Sequence, residues 1–220
     1  MRIKTAQLPS LLRPLSQALL CAALLSQLGG CVAVVAAGAV GTAVAGADRR
    51  TLGTQTEDEG IEIKAVARMP NIVGDAGHVN ITSYDRKVLL TGEVRDEAMK
   101  RAVEDEVRSI ANVEAVMNEL AIGGTSSYTS RSSDALITSK VKISLADKKT
   151  VSATSFKVVT ERGTVYLMGM VTQREGNIAA NVAQGVSGVM KVVKMFEYIS
   201  EEDVRAMQPP QNPAPVHSSS

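Results

Sequence analysis

Few residues in this sequence have the types and the spacing that chemistry requires. The histidines are His78 and His217, the second near the carboxyl end, and the cysteines are Cys21 and Cys31. No His/Cys cluster has metal-ligand spacing. No Ser or Cys has a general base beside it in sequence. The glycines from Gly38 to Gly46 are not followed by the Lys-Ser/Thr of a phosphate loop. Glu104, Asp105 and Glu106 read as the solvated face of a helix rather than as paired catalytic acids. What remains is one thiol in a distinctive setting, Leu28-Gly29-Gly30-Cys31. Small residues there suit a cleavage site, and the thiol can carry a covalent group. No enzyme activity, metal or diffusible cofactor is expected.

The segment in front must bring that thiol to a membrane. Arg2, Lys4 and Arg13 form a basic start, and an apolar run from Leu15 to Leu28 follows. This order reads as a secretory signal over residues 1–30. The run falls short of the roughly 20 apolar residues that span a bilayer. Leu, two small residues and then Cys31 resemble the bacterial lipobox, in which the thiol takes a diacylglyceryl group, cleavage follows and the new amino end is acylated. Cys21 fits poorly, because bulky Leu20 precedes it. Cleavage would leave a single Cys, so the mature chain could form no internal disulfide, and a lone thiol in an oxidising compartment calls for a use. Val32, not Asp, follows Cys31; in lipoproteins of this kind that favours the outer membrane. The expected location is the outer membrane, lipid-anchored, on its periplasmic face.

Charge excludes one class of partner. The leader holds three of the 24 basic residues, leaving 24 − 3 = 21 against 23 acidic ones in the mature chain. There is no broad basic field for nucleic acid to meet. With no Trp and 3% aromatic residues, there is little for bases to stack on.

Behind the thiol, residues 31–56 read as a lipidated tether. Val32 to Ala47 are nearly all Ala, Val and Gly; they suit either a flexible tether or a small-residue helix at the membrane surface. Asp48 to Thr56 read as a polar linker. An internal repeat follows. Val88-Leu89-Leu90-Thr91-Gly92-Glu93-Val94 matches Val165-Tyr166-Leu167-Met168-Gly169-Met170-Val171 at an offset of 77. Asp58, Ile61 and Lys64 match Asp134, Ile137 and Lys140 at an offset of 76, as Val113 and Val116 match Val189 and Val192. Each copy reads as helix, two strands joined by a tight turn, helix, strand. The first helices are expected at 58–69 and 134–146, where Ile137, Val141 and Leu145 make one buried stripe. The turns are expected at Asp85-Arg86 and Arg162-Gly163. The second helices are capped by Asp96 in one copy, and by a Thr172/Glu175 box in the other. Met99, Val103, Val107 and Ile110 face the first core, and Ile178, Val182 and Val186 the second. Last strands are expected at 113–122 and 189–199. Gly92 and Gly169 are expected to allow close packing under a helix. Two cores this small are marginal, so the copies are expected to dock. The domains are then 57–122 and 133–200, joined by a Gly/Ser linker at 123–132 and followed by a disordered Pro/Ser tail at 201–220.

Two α-β-β-α-β copies, each with Val-x-Leu-x-Gly-x-Val, resemble BON domains. The fold class is thus α+β, each copy a three-stranded mixed sheet packed on two helices. With the lipobox and Asp48-Arg49-Arg50-Thr51-Leu52-Gly53-Thr54-Gln55, the chain resembles the dual-BON outer-membrane lipoproteins of Gram-negative bacteria. The resemblance implies binding of anionic phospholipid through the first helix of the second copy, a role in envelope integrity, and division-site localisation. Here that helix carries Leu136, Ser139, Lys140, Lys142 and Ile143 as expected contacts. The residues themselves point the same way. Leu136 and Ile143 lie opposite the buried stripe with Lys140 between them, which suits an interfacial face. They would also suit packing on the other copy. The first copy's helix is expected to show no such outer pair. The competing expectation is a periplasmic adaptor that docks on envelope assembly or protease machinery, with envelope proteins as partners.

Overall fold

The computed structural model describes residues 48–207. Cys31, the leader, the Ala/Gly/Val segment and the tail from residue 208 lie outside the described residues. In the first copy α1 spans Leu52–Arg68, β1 His78–Tyr84, β2 Lys87–Val94, α2 Glu97–Arg108, β3 Ala115–Asn118 and β4 Ala121–Ile122. In the second, α3 spans Tyr128–Ala146, β5 Lys157–Glu161, β6 Thr164–Val171, α4 Gln173–Gln184 and β7 Lys191–Tyr198. A final short helix, α5, covers Glu201–Met207.

Each sheet is mixed, as expected. β1 and β5 run antiparallel to β2 and β6, whose other edges pair in parallel with β3 and β4, and with β7. The last strand of the first copy, expected to be continuous, is broken after Asn118. There the Asn118 side chain accepts from the Leu120 amide at 3.2 Å, and Leu120 turns into the core.

Both hairpin turns place two residues at positive φ: Asp85 (50°) and Arg86 (61°), then Arg162 (50°) and Gly163 (71°). This is the type I′ geometry that suits the twist of a two-residue hairpin, but three of the four residues are not Gly. A buried carboxylate on the preceding helix holds each turn. Asp58 accepts from the amides of Asp85 (2.8 Å) and Arg86 (2.7 Å). It also accepts from the Ser83 hydroxyl (2.6 Å) and the Arg50 guanidinium (2.7 Å). Among the described residues, Asp134 accepts only from the amides of Arg162 and Gly163, each at 2.9 Å. The match of Asp58 to Asp134 in sequence is therefore a match of function: a carboxylate that pins helix to hairpin.

Several boundaries differ from expectation. α1 begins at Leu52, not near residue 58, because the Thr51 hydroxyl caps it by accepting from the Thr54 amide at 3.1 Å. α3 begins at Tyr128, inside the expected linker, capped by Ser127. Residues 201–207 are helical rather than disordered; Ser200 and Asp203 cap α5, and Val204 is buried. On α4 the fully buried face is Gly176, Ala179, Ala180 and Ala183, while Ile178, Val182 and Val186 are half-buried at its margin. The small residues let the helix sit close to β7, where a Cβ on Gly176 would lie 2.9 Å from Phe196. Gly92 and Gly169 answer to backbone rather than to a helix. A Cβ would fall 2.0 Å from the His78 carbonyl oxygen at Gly92, and 2.4 Å from that of Ser155 at Gly169.

The copies dock, and they do so sheet to sheet. Each sheet turns alternate residues to its own helices, giving one core around Ile61, Val88, Leu90 and Val107 and a second around Val141, Val165, Leu167 and Ala179. The opposite faces meet in a third cluster of Tyr84, Leu89, Tyr166 and Met168, with Met117, Met170 and Met195 around it. The order of layers is helices, sheet, sheet, helices. Polar groups stitch one seam. Asn80 donates to Glu161 at 2.8 Å, and Lys157 donates to Glu62 (2.8 Å) and to the Ser83 carbonyl (3.0 Å). The expected polar linker contributes a clasp at the end of the joint. Arg49 makes a two-toothed ion pair with Glu175 of the second copy (2.7 and 2.8 Å). Arg50 binds Asp58 of the first copy and stacks 4.1 Å above the Tyr84 ring.

Two outcomes follow from these contacts. Burial opposes ionisation of Asp58, but its bonds from Ser83, the Arg86 amide and Arg50 outweigh this and hold its carboxyl below the usual range. Its stabilisation is thus present above the ordinary carboxylate pKa and lost as pH falls through the lowered one. Asp58→Asn should cost about 2–4 kcal/mol in denaturant unfolding at pH 7, and Asp134→Asn about half that, since it loses fewer bonds; equal losses would contradict the clasp. Burial raises the carboxyl pKa of Glu161, opposed by Asn80 and His78 but reinforced by Glu93 and Asp134. The folded state therefore loses stability as pH rises through that range. Glu161→Gln should raise Tm by about 2–4 °C at pH 8 and leave it unchanged at pH 4; calorimetry at both pH values checks this.

Candidate functional site

The expected contact residues Leu136, Ser139, Lys140, Lys142 and Ile143 are all exposed on α3. Asp134, Ile137, Val141 and Leu145 are buried and lock the helix onto β5 and the second core. Thr138, on the flank, donates to the Thr160 hydroxyl at 2.7 Å and fixes the helix's rotation. That rotation turns Leu136 and Ile143 outward, at 63% and 62% exposure. They do not dock on the first copy, whose sheet meets the opposite face of the second sheet. Two large aliphatic side chains left in water need an explanation, since a folded domain gains by burying them.

Lys140 lies between this pair and is exposed. Ser139 is also exposed, but its hydroxyl is turned back to the Ala135 carbonyl at 2.9 Å, which leaves it a poor donor to anything outside. Lys142 is exposed too, yet at about 100° per residue it falls about 120° round the helix from Leu136. The structure thus gathers Leu136, Ser139, Lys140 and Ile143 on one face and puts Lys142 on the flank. No carboxylate pairs with Lys140 or Lys142 among the described residues. Cys31 lies outside the described residues.

One expectation is corrected. The first helix of the first copy does carry an outer apolar pair, Ile63 (63% exposed) and Val66 (56%), with Leu52 (68%) a few turns earlier. Burying Asp58, Ile61 and Ala65 fixes the rotation of α1 and sends Ile63 and Val66 to solvent. The periodicity carried this signal, because the aliphatics of α1 outnumber the places on one buried stripe. Since α1 and α3 belong to the two outer layers, these apolar faces lie on opposite sides of the sheet pair.

Among the described residues, no helix is long and apolar enough to cross a membrane, and no group of His, Cys, Asp or Glu is placed to hold a metal ion.

Known proteins place this geometry. The BON domain model matches residues 61–124 and again 133–200. The chain is 39% identical to the outer membrane lipoprotein DolP of Haemophilus influenzae over 175 residues, covering 78% of this chain and 90% of that one. It is 30% identical to a 21 kDa hemolysin of Actinobacillus pleuropneumoniae over 154 residues, covering 69% and 79%. Among solved structures, the C-terminal domain of CdsD, a structural protein of the Chlamydia trachomatis type III secretion system, aligns at 10% identity with a TM-score of 0.27, over 63% of this chain and 98% of that one. The two family matches coincide with the two α-β-β-α-β units, and the identity to DolP runs across both. The chain belongs to the BON-domain family, as a two-copy, non-enzymatic outer-membrane lipoprotein.

Proposed function

We propose that this lipoprotein is anchored through an acylated Cys31 on the periplasmic face of the outer membrane, and that it binds anionic phospholipid through the outer face of α3. In this reading it supports envelope integrity and acts at the division site. The observation that carries the lipid contact is the exposure of Leu136 and Ile143 on either side of an unpaired Lys140, on a helix whose rotation is fixed by its buried side. Each aliphatic would gain on the order of 1 kcal/mol or more from the area still open to water, and a Lys near an anionic surface contributes about 1 kcal/mol. These sums are far smaller than the acyl chains provide, at about 0.8 kcal/mol per buried CH₂. Cys31 would therefore decide attachment, and α3 would decide orientation and lipid preference. Leu136 buries less area than a large aromatic would and lacks the interfacial preference of Trp, so insertion would be shallow.

The test removes the anchor and keeps the rest. Residues 31–220 with Cys31→Ser, bound to phosphatidylglycerol vesicles, should lose at least tenfold in affinity when Leu136→Glu and Ile143→Glu are added. Unchanged binding would remove α3 as the lipid face.

A second reading, a periplasmic adaptor docking on envelope assembly or protease machinery, is favoured by the apolar face of α1. That face points away from α3, so one molecule could use both. Ile63→Glu with Val66→Glu should then keep vesicle binding and lose a crosslinked envelope protein in cells; retention of every crosslink would dismiss the adaptor reading.

A further inference from the structure

A second feature of the layer that carries α3 takes no part in the α3 contact. Where α3 ends and α4 begins, α5 and the clasp residue Arg49 close off a cleft of about 550 Å³. Its lining carries Arg49, Lys149, Arg174 and Arg205 against Glu175 and Glu201, a local excess of two positive charges by count.

The carboxylates do not use up the donors. Arg49 is held by Glu175. Arg174 gives its Nε to Glu201 at 3.2 Å and one terminal nitrogen to the Thr150 carbonyl at 3.2 Å, and the other terminal nitrogen has no partner among the described residues. Arg205 gives its Nε to the Glu201 carbonyl at 3.1 Å, and among the described residues both its terminal nitrogens are free. Lys149 is exposed and makes no ion pair among the described residues. Three cationic side chains on α4, on α5 and on the turn after α3 thus offer unused N–H groups around one opening. A tetrahedral oxyanion with several acceptor oxygens is the ligand class that satisfies such a set.

We propose that this cleft binds a phosphate ester, and specifically the phosphodiester headgroup of the lipid on which α3 rests. The assignment of lipid as the source depends on the α3 reading above; the affinity for phosphate does not. The cleft opens beside Arg49, where the tether from Cys31 enters the fold, and at the end of α3, so an α3 seated on a bilayer brings it near the headgroups. It would give the domain a polar fix on a lipid that the aliphatic pair holds only by its surface.

The experiment uses the ¹⁵N-labelled mature chain, residues 31–220 with Cys31→Ser. Glycerol 1-phosphate is the soluble probe, and phosphatidylglycerol and phosphatidylcholine nanodiscs are the lipid probes. Glycerol 1-phosphate should shift the amides of Lys149, Thr150, Arg174 and Arg205 saturably. Lys149→Gln with Arg205→Gln should weaken that binding at least tenfold, with the rest of the amide spectrum unchanged, and should weaken binding to phosphatidylglycerol discs about threefold or more. Leu136→Glu with Ile143→Glu should leave the glycerol 1-phosphate shifts intact; if it does so while lipid binding is unaffected, the α3 reading fails and the phosphate site stands. Shifts that do not saturate, or that survive Lys149→Gln with Arg205→Gln, would show an adventitious ion only and overturn the site. Phosphate binding that needs both cations, while nanodisc binding ignores them, would overturn the headgroup assignment.

Discussion

The packing of one sheet's outer face on the other is the constraint from which the rest follows. A three-stranded sheet with helices on one side leaves its second side bare, and each copy here turns that side on its twin through Tyr84, Leu89, Tyr166 and Met168. Domains of this size hold marginal cores when alone; pairing gives each a second buried face. It also sets what the outside must be. Both helix layers are forced to the exterior, so any apolar residue on an outward helix face is offered to a partner rather than to the fold.

The clasp at the end of the joint ties both copies to the segment that precedes α1. Arg49 and Arg50 arise from the same few residues, yet one binds Glu175 in the second copy and the other Asp58 in the first. Asp58 in turn holds the type I′ hairpin turn and Ser83. The chain arriving from the direction of Cys31 is therefore fixed to both copies before α1 begins. Geometry at Arg49 and Arg50 and geometry at the joint are not independent, and a substitution in either is felt in the other.

Much of this was legible in the sequence, for reasons that can be named. The repeat was visible because the same carboxylate, strand and glycine constraints act twice: Asp58 and Asp134 on the turns, Gly92 and Gly169 where carbonyl oxygens approach. The α3 stripe was legible because three aliphatic side chains, Ile137, Val141 and Leu145, recur at helical spacing and must be buried. What escaped depends on partners distant in sequence. Arg49 and Arg50 look like linker charges until Glu175 and Tyr84 are brought beside them. The Ala face of α4 was hidden because the larger Ile178 and Val182 looked the better core residues, whereas close approach to Phe196 selects the small ones. The outer pair on α1 and the turn of α5 were present in the residues but outweighed by the polar look of their neighbours.

The central claim is that the layer containing α3 faces the bilayer while the layer containing α1 faces away. Spin labels read this directly. In the proposed reading, where Cys31 would be acylated and Cys21 would leave with the leader, a single substituted Cys at Ser139 or at Lys64 would be the one free thiol of the mature chain. In phosphatidylglycerol vesicles the label at 139 should become accessible to oxygen and shielded from a water-soluble nickel chelate, while the label at 64 stays fully open to the chelate. Equal aqueous exposure at both positions, or shielding at 64 alone, would contradict the account.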